Sequence, residues 1–416
     1  MAAEQIRDQP PVRECADGAP GIVIVGGGFG GLYTALALAA LRDHPPILLI
    51  EPQDQFVFLP LLYELLSGEL RRWEVAPRYD TVLAGLGIGW LQDRVVKVEA
   101  SLNQLRTAGG RTIPYSRLVL ATGASGDTFG VPGADRHSLG FRSLSDVDRL
   151  RALIRELRRQ RRPLQRLAVV GAGPTGVELA CKLADLLQGD ALIELIEQGS
   201  VPLPTCRSFH REQAELALRR RDVRLRCQTR VTAVGSDSIT LVHQPATPEN
   251  GRSPGRGVEE LLSVQGVIWT AGLRFRPPAI EPEAATGPLG RLRCEPDLRL
   301  AGQDRIFVAG DLALLSGDGD DHPPPPTTAQ VAFQQAPLLA ANLIRSLASE
   351  PLQPFVWNDL GELMSLGIGE ASLTAAGLNL VGRAAFQLRR ITYLTRLPGR
   401  PHQLRVAAGW LADAIP

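Results

Sequence analysis

Residues 21–51 constrain the fold more than any other part of the chain. An apolar run, Ile22–Val25, is typical of a strand buried on both faces of a parallel sheet. A helical pattern follows, and a second apolar run, Ile47–Ile50, leads directly into Glu51. The glycines between the first run and the helix are Gly26, Gly28 and Gly31. This pattern predicts a βαβ unit that binds a dinucleotide, with glycines at the pyrophosphate and the acid at a ribose. The alternative is a glycine-rich turn that binds nothing.

The same pattern occurs a second time, from a predicted strand at residues 166–170 to an acid, Glu197. Its glycines are Gly171, Gly173 and Gly176. Two such units predict two dinucleotides in adjacent domains, and the simplest electron-transfer pair is a flavin with a nicotinamide. Glu197 favours NADH, because a carboxylate accepts a hydrogen bond from the ribose 2′-hydroxyl and repels the 2′-phosphate of NADPH. Arg207 or Arg211 could still support some use of NADPH.

Three further apolar runs, at residues 118–123, 267–272 and 305–311, end in small residues or an acid. Such endings let the backbone come close to a ligand. The residues concerned are Thr122, Gly123, Gly272, Gly310 and Asp311. Asp311 could accept hydrogen bonds from sugar or ribityl hydroxyls, although an aspartate capping the next turn gives the same pattern.

A helix is predicted from about Thr327 or Thr328 onwards, after the run DGDDHPPPP at residues 318–326. That run cannot continue a helix or a strand and predicts a loop or linker. Gln330 and Gln334 stand four residues apart on one face of the predicted helix. Small residues beside them would let the helix lie close to a flat ligand. The alternative is a structural role for both amides.

The last part of the chain has no acidic residue between Ala371 and Ala412, and its arginines are interleaved with aromatic residues. Four apolar residues from Leu404 to Leu411 fall at helical spacing. A basic amphipathic region of this kind is typical of docking on an anionic membrane surface. A helix packed on the body of the protein and a contact in a homodimer are the alternatives.

Composition excludes several classes of protein. The chain has 416 residues, a net charge of +1 and 44% hydrophobic residues, so we expect a globular protein that binds no nucleic acid. Its five cysteines are scattered, which excludes a redox disulfide between closely spaced cysteines and predicts no metal site.

We expect neither a signal peptide nor a membrane-spanning segment. A polar tail at residues 1–20 and a surface loop at 244–257 are also predicted.

The predicted fold class is α/β, with two Rossmann-like dinucleotide-binding domains and a basic amphipathic C-terminal region for membrane docking. The first domain is predicted to consist of residues 21–142 and 290–350. The second segment is assigned to it because the run at 305–311, like the first strand, is an apolar strand followed by a glycine. The second domain is predicted at 143–289 and the docking region at 351–416. Within the first domain, residues 87–98 predict one strand.

With these features in place, the chain resembles the two-dinucleotide-binding-domain flavoproteins, and among them the type II NADH dehydrogenases. These are single-subunit NAD(P)H:quinone oxidoreductases bound peripherally to membranes. The motifs that carry the resemblance are both glycine units, Ala-Thr-Gly at 121–123, Trp-Thr-Ala-Gly at 269–272, Ala-Gly-Asp at 309–311 and Ala-Gln-Val-Ala-Phe-Gln-Gln at 329–335. Segments 58–65 and 397–406 are most similar to a cyanobacterial and plastid branch, which acts as demethylphylloquinone reductase.

The resemblance implies a role for each motif. The first glycine unit would hold the FAD pyrophosphate, Glu51 its ribose and Asp311 its ribityl chain, with Thr122 and Gly123 near the flavin. The second unit and Glu197 would hold NADH or NADPH as substrate. Gln330 and Gln334 would face the quinone. Glu178, two residues after the third glycine of the second unit, would lie where nicotinamide and quinone meet the flavin, or would only complement the helix dipole.

The implied reaction is hydride transfer from NAD(P)H to FAD, then two-electron reduction of a membrane quinone without proton pumping. The implied acceptor is a naphthoquinone or plastoquinone, and the implied location is the cytoplasmic side of a plasma or thylakoid membrane. Two alternatives stay open: a ferredoxin- or rubredoxin-type reductase, and a redox-sensing protein that binds FAD and NAD(P)H. The run at 318–326 departs from the family pattern and could alter the approach to the quinone helix.

Overall fold

The computed structural model describes residues 21–160, 162–243, 257–315 and 324–414. The predicted tail at 1–20, the predicted loop at 244–257 except its last residue, and residues 318–323 of the predicted linker lie outside the described residues.

The stretch up to residue 142 begins with the predicted βαβ unit. Its strands are β1 (Ile22–Val25), β2 (Ile47–Ile50), β3 (Ile88–Leu91), β4 (Val95–Glu99), β5 (Gln104–Thr107), β6 (Thr112–Pro114), β7 (Arg117–Leu120), β8 (Ala124–Gly126) and β9 (Ser138–Leu139). Its helices are α1 (Phe29–Ala39), α2 (Leu62–Ser67), α3 (Arg72–Val75), α4 (Tyr79–Val82) and α5 (Ala134–His137).

The next stretch contains the second βαβ unit. Its helices are α6 (Leu144–Gln160), α7 (Pro174–Leu187) and α8 (Ser208–Arg220). Its strands are β10 (Arg166–Val170), β11 (Leu192–Ile196), β12 (Arg224–Arg226), β13 (Thr229–Val234), β14 (Ser238–His243), β15 (Val258–Ser263), β16 (Gly266–Trp269), β17 (Leu273–Phe275) and β18 (Ala279–Glu281).

The last stretch returns to the first sheet and then forms the C-terminal region. Its strands are β19 (Leu292–Cys294), β20 (Ile306–Val308), β21 (Ala313–Leu315), β22 (Glu362–Ser365), β23 (Ala371–Ala375) and β24 (Leu378–Gly382). Its helices are α9 (Ala329–Leu347), α10 (Arg383–Leu394) and α11 (Arg400–Ala414).

Two parallel sheets organise the molecule, in the orders β20–β7–β1–β2–β3 and β12–β11–β10–β16–β9. β1 and β2 are buried along their whole length, and the inner strands β7, β10, β11 and β16 are buried except for a half-buried first residue, as parallel strands covered on both faces require. The pairing of β20 with β7 brings the predicted strand at 305–311 back to the first sheet. The antiparallel pair β8 and β17 links the two halves of the molecule.

The predicted single strand at 87–98 is wrong. The structure has β3, which pairs with β2, and β4, which pairs with β5 in another sheet. Asp93 causes the break, because its carboxylate accepts the backbone N–H of Arg94 at 2.7 Å and of Gly109 at 3.2 Å. These hydrogen bonds stabilise a turn, so the backbone hydrogen bonds of β3 do not continue into β4.

The C-terminal region is not a detached unit. Strands β22–β24 form an antiparallel sheet, and α10 packs on that sheet around a small core that includes Phe386. Val406 of α11 is buried in the main core of the molecule. Among the described residues, no helix is both long and apolar enough to cross a membrane.

Candidate functional site

The first glycine loop joins β1 to α1 and has the geometry of a phosphate cradle. Gly26 has a φ of +101°, and a Cβ on Gly31 would lie 1.8 Å from the Gly26 carbonyl oxygen. Gly28 is the N-cap of α1, and no described atom lies within 4 Å of the position of its missing Cβ. Since no side chain of the described residues caps α1, its first N–H groups can bind an anion.

Glu51 stands beside this loop. Its Oε2 accepts the Gly27 N–H at 2.7 Å and its Oε1 accepts the Gln53 N–H at 2.9 Å. The Tyr79 hydroxyl donates to the Gly27 carbonyl at 2.8 Å, which fixes the loop from the other side. The acid is therefore held where the ribose hydroxyls of a dinucleotide on the loop would reach it.

The second glycine loop, between β10 and α7, repeats this construction. Gly171 has a φ of +99°, and a Cβ on Gly176 would lie 1.8 Å from the Gly171 carbonyl oxygen. Gly173 is the N-cap of α7, and the space where its Cβ would stand contains no described atom within 4 Å. Glu197 accepts the Ala172 N–H and the Gly199 N–H, each at 2.7 Å.

The sheet order brings the other predicted residues to the two loops. Thr122 and Gly123 follow β7, the neighbour of β1, so they stand at the edge of the first loop. Gly272 follows β16, the neighbour of β10, and therefore stands beside the second loop. The two edges match the position where open α/β sheets bind ligands, at the carboxyl ends of the strands.

Gly310 and Asp311 follow β20 and complete the first edge. A Cβ on Gly30 of α1 would lie 3.1 Å from the Gly310 nitrogen, so the two segments touch. Burial raises the pKa of the Asp311 carboxyl, and the charges of Arg142 and Arg291 oppose that rise. No side-chain hydrogen bond to this carboxylate occurs in the part of the chain that the structure describes. A partly buried acid without partners suits a ligand rich in hydroxyls.

Gln335 is a site residue that the sequence reasoning missed. Its side chain is buried, and its Oε1 accepts the Gly310 N–H at 2.7 Å. This bond ties α9 to the turn that presents Asp311. The signal was available as the third glutamine of the segment at 329–335, but its position next to Gln334 put it on a different helix face.

Gln330 and Gln334 lie on one face of α9, as predicted, and both amides are hydrogen-bonded to the segment at residues 358–361. Gln334 donates to the Asn358 carbonyl at 2.8 Å and accepts the Asn358 N–H at 3.1 Å. Gln330 donates to the Gly361 carbonyl at 3.2 Å and accepts the Leu360 N–H at 3.3 Å. Each glutamine therefore holds this segment through both ends of its amide.

Glu178 is buried in the second turn of α7, and not merely placed near a helix dipole. Its Oε1 accepts the Ser365 N–H at 2.6 Å, and Tyr63 hydrogen-bonds to the same carboxyl group. Burial raises the pKa of Glu178 to about 7, while the Arg389 charge and the Ser365 N–H oppose that rise. The carboxyl group can therefore gain or lose a proton near neutral pH.

Glu178 belongs to a buried ionic cluster made of side chains from three parts of the chain. Arg389 of α10 pairs with Glu64 of α2 and lies 3.9 Å from Glu178. Lys182 of α7 pairs with Glu69 and lies 3.9 Å from Glu64. Three carboxyl groups thus face two cations, so one proton on a carboxyl group makes the cluster neutral.

Arg389 corrects the prediction for the basic C-terminal region, since it is buried in this cluster. Other arginines there lie over aromatic rings: Arg390 stands 4.3 Å from the Trp410 ring centre and Arg405 stands 4.8 Å from that of Trp73. Trp410 also donates from its indole N–H to Glu74 at 2.9 Å. The inner faces of α10 and α11 therefore pack on the body of the protein, which was the alternative to docking.

The outer faces of α10 and α11 are exposed and apolar. Leu388 and Ile391 are exposed on α10, and Leu404 and Leu411 are exposed on α11. Their spacing of three and seven residues places each pair on one side of its helix. Packing on the body of the protein therefore applies to the inner faces, and docking of the outer faces on a membrane stays a prediction.

The arginines considered for a 2′-phosphate are engaged elsewhere. Arg207 pairs with Asp359 at 2.6 Å and lies 3.9 Å from Glu362. Arg211 donates to the carbonyl groups of Leu203 at 3.4 Å and Cys206 at 3.5 Å. Arg207 is therefore neutralised by acids, whereas Arg211 has no ion pair among the described residues and its Nε is buried without a hydrogen-bond partner.

The residues present suit two dinucleotides. Each glycine loop is followed by a helix whose N-terminus has no side-chain cap among the described residues. Each also has open space at its second glycine and an acid hydrogen-bonded beside it. Within the described ranges, no group of three or more His, Cys, Asp or Glu side chains could hold a metal ion.

Comparison with known proteins agrees with this construction. The family described as pyridine nucleotide-disulphide oxidoreductase matches residues 20–336. The chain is 35% identical to demethylphylloquinone reductase NdbB of Synechocystis, over 96% of this chain and 97% of that protein. It is 34% identical to the alternative NAD(P)H-ubiquinone oxidoreductase C1 of Arabidopsis thaliana, over 95% of this chain and 81% of that protein.

Among solved structures, the fold is similar to that of NDH2 from Plasmodium falciparum in complex with NADH. The TM-score is 0.77 at 20% sequence identity, and the match covers 92% of this chain and 96% of the other. The chain therefore belongs to the pyridine nucleotide-disulphide oxidoreductase family and, within it, to the type II NADH:quinone oxidoreductases, with the demethylphylloquinone reductase branch among its relatives.

Proposed function

We propose that the chain is an FAD-dependent NAD(P)H:quinone oxidoreductase, and that its quinone is a naphthoquinone of the demethylphylloquinone type. The observation that carries the proposal is the pair of glycine loops, each with an acid hydrogen-bonded beside it. The loops lie at the carboxyl ends of the strands of two parallel sheets in the same molecule. When bound, FAD accepts a hydride from the nicotinamide and passes two electrons to the quinone. The chain's own residues bind, orient and supply protons.

The first loop is the FAD site. Asp311 supports this assignment, because its partly buried carboxylate lacks a hydrogen-bond partner in the described residues and β20 delivers it to the first sheet. Gly26, Gly28 and Gly31 would hold the pyrophosphate, and Glu51 the adenosine ribose. Residues 21–142 and 290–350 would then make one FAD domain, and residues 143–289 the NAD(P)H domain.

The second loop is the NAD(P)H site, and NADH is the preferred donor. Gly171, Gly173 and Gly176 would hold its pyrophosphate, while Glu197 would accept the ribose 2′-hydroxyl. The engagement of Arg207 with Asp359 supports this preference, because that guanidinium is already neutralised. A 2′-phosphate would be repelled by the charge of Glu197.

Glu178 supplies a proton to the quinone. Two-electron reduction of a quinone requires two protons, and a carboxyl group whose pKa is about 7 is protonated about half the time at neutral pH. Tyr63 and the Ser365 N–H orient that group.

Gln330 and Gln334 act on the quinone by holding the segment at 358–361 against α9. Four hydrogen bonds between these amides and the segment support this role. The segment and α9 would together form one wall of the quinone pocket, and the two glutamines would hold that wall together. That the amides face the quinone directly stays a prediction.

The exposed apolar faces of α10 and α11 dock on an anionic membrane surface, on its cytoplasmic side. Exposed Arg383 and Arg400 flank the apolar side chains and would meet lipid phosphates. Quinones dissolve in the hydrocarbon interior, so docking at this face would bring the quinone pocket to its substrate.

Steady-state turnover with a set of acceptors tests the proposal. The purified protein with FAD should oxidise NADH rapidly with naphthoquinones and benzoquinones, and slowly with ferredoxin or rubredoxin. The proposal would be refuted if NADH were oxidised faster with ferredoxin or rubredoxin than with any of the quinones.

A further inference from the structure

The ring of Phe129 is exposed and held in a conformation that bulky residues seldom adopt. Its backbone has a φ of +54°, in the left-handed region, and 57% of the residue is exposed. Neither property improves packing, because the strained backbone costs energy and the exposed ring recovers little by burial. A residue kept this way at a candidate site is a reason to look for a ligand.

The turn that carries Phe129 is fixed by Asp127, which is buried. The Asp127 carboxylate accepts the Phe129 N–H at 3.1 Å and pairs with Arg274 at 2.9 Å. The Asp127 carbonyl accepts the indole N–H of Trp269 at 3.0 Å. Since Trp269 is the last residue of β16, the turn is bound to the end of that strand, which fixes the backbone position from which the Phe129 ring projects.

The Phe129 ring lies on Gly272. A Cβ on Gly272 would stand 2.6 Å from the Cε2 and Cζ atoms of the ring. The residue before Gly272, Ala271, touches the second glycine loop, because a Cβ on Gly171 would lie 2.9 Å from that of Ala271. The ring therefore stands at the edge of the second dinucleotide site, one glycine away from the loop.

The order of strands decides which half of the dinucleotide the ring would meet. Glu197 follows β11, the glycine loop follows β10 and Gly272 follows β16, and these strands are neighbours in that order. A dinucleotide with its adenosine ribose at Glu197 and its pyrophosphate on the loop must extend its nicotinamide half toward β16. Phe129 stands on that side.

We propose that Phe129 is a binding residue for the nicotinamide half of NAD(P)H, and that its ring packs against the nicotinamide nucleoside. This inference rests on the proposed function in one respect, namely that the second glycine loop takes NAD(P)H. Aromatic rings gain contact energy from flat partners, and the oxidised nicotinamide is a cation that an aromatic face attracts. Phe129 thus contributes to the affinity for both substrate and product.

The test compares variants at this position in the holoenzyme. Phe129→Ala should raise the KM for NADH and the Kd for NAD⁺ by about fivefold to tenfold, the loss typical of one aromatic contact. Phe129→Tyr should restore both constants to within about twofold of the unmodified protein. The Kd is measured by calorimetry on the oxidised protein, without turnover. The KM for the quinone and the FAD content should not change.

Two controls separate binding from folding. Phe129→Gly removes the ring together with the left-handed strain, so it should weaken NADH binding without lowering the melting temperature. Leu164 is a matched control, since it also has a positive φ, at 62°, and is 81% exposed, but it precedes β10 at the opposite sheet edge. Leu164→Ala should leave all of these constants unchanged.

The inference is overturned if Phe129→Ala keeps its NADH and NAD⁺ constants within twofold, or if the quinone KM rises by the same factor. Failure of the proposed function has a different signature. If quinones do not reoxidise the unmodified protein while Phe129→Ala still weakens NAD⁺ binding, the quinone assignment is wrong and the nicotinamide contact stands.

Discussion

Lys182 and Arg389 are cations buried at the centre of the molecule, in a chain that has only one other lysine, Lys97. Burying a charge is costly unless a partner of opposite charge is close, and here Glu64 and Glu69 are those partners. The guanidinium of Arg389 also donates to the carbonyl of Pro60 at 2.6 Å. Removal of either cation would leave a buried or partly buried carboxylate without its short ion pair.

Replacing Arg389 by methionine should lower the free energy of unfolding by about 3–5 kcal/mol, because the buried Glu64 would lose its short ion pair and keep only the more distant Lys182, at 3.9 Å. Denaturant unfolding of the FAD-loaded protein measures the change. Arg383→Met is the matched control in the same helix, since Arg383 is exposed, and should change the value by about 0.5 kcal/mol or less. A loss below 1 kcal/mol for Arg389→Met would mean that the cluster is not a structural unit.

Glu178 should make quinone reduction depend on pH. Its pKa is raised from 4.5 to about 7, so the protonated form is favoured in the folded protein. The resulting stability is fully present below the unfolded pKa and is lost as pH rises through about 7. We expect reoxidation of the reduced flavin by quinone to slow over the same range. Glu178→Gln should flatten both profiles, and an unchanged rate profile in that variant would exclude Glu178 as the proton source.

Glu197 should set the preference between the two nicotinamide donors. Glu197→Gln removes the charge that repels a 2′-phosphate and one of the acceptors that hold Ala172 and Gly199. The ratio of kcat/KM for NADH to that for NADPH should fall about tenfold, mainly through a higher KM for NADH. Steady-state kinetics with both donors decide it, and an unchanged ratio would place the preference elsewhere.

Single residues were predictable from sequence where a motif fixes their position. The six glycines, Glu51 and Glu197 follow from the βαβ pattern, because its geometry requires them. The burial of Arg389 was not predictable, because it lies among several arginines and arginine side chains are usually exposed. Gln335 was missed for a similar reason, since nothing local distinguishes it from Gln334.

At the scale of elements, hydrophobic runs predicted the inner strands of both sheets well. These strands are buried on both faces, so their apolar character is continuous and easy to read. The predicted strand at 87–98 failed because its residues belong to two sheets, and only the turn at Asp93 separates them. Such a turn depends on Gly109, which is distant in sequence.

The amphipathic pattern of α11 and the basic character around it predicted a surface helix but not what each face contacts. The inner face packs through Val406 and Trp410, while Leu404 and Leu411 point outward. Periodicity shows that one side is apolar, and here a second apolar side is also present. Only the tertiary structure separates the two.

The double variant Ile391→Glu with Leu404→Glu should abolish binding to anionic vesicles while leaving turnover with a soluble benzoquinone unchanged. Both side chains are exposed, at 57% and 72%, so the substitutions cost little stability. Vesicle flotation measures the binding. Leu102→Glu is the control, because Leu102 is 65% exposed in a turn between β4 and β5. Retained flotation of the double variant would place docking on another surface.

At the scale of the whole molecule, the ionic cluster joins three parts of the chain. Glu64 belongs to the first stretch, Glu178 and Lys182 to the second, and Arg389 to the C-terminal region. A truncation before α10 would therefore remove a buried cation together with the docking face. Point substitutions on the outer face are the cleaner test of membrane binding.

The cluster is also linked to the segment that α9 holds. Ser365, which donates to Glu178, follows that segment directly through β22. A change in the charge of Glu178 would therefore act directly on a hydrogen bond to β22, the strand that continues from this segment. Glu178 thus connects α7, the helix that begins at the second glycine loop, with β22.

Anaerobic double mixing of the FAD-loaded protein tests the central claim most directly. NADH should bleach the flavin absorbance in the first mix, and a naphthoquinone should restore it in the second, with one quinone consumed for each flavin. A flavin that NADH reduces but that only ferredoxin or oxygen reoxidises would contradict the account.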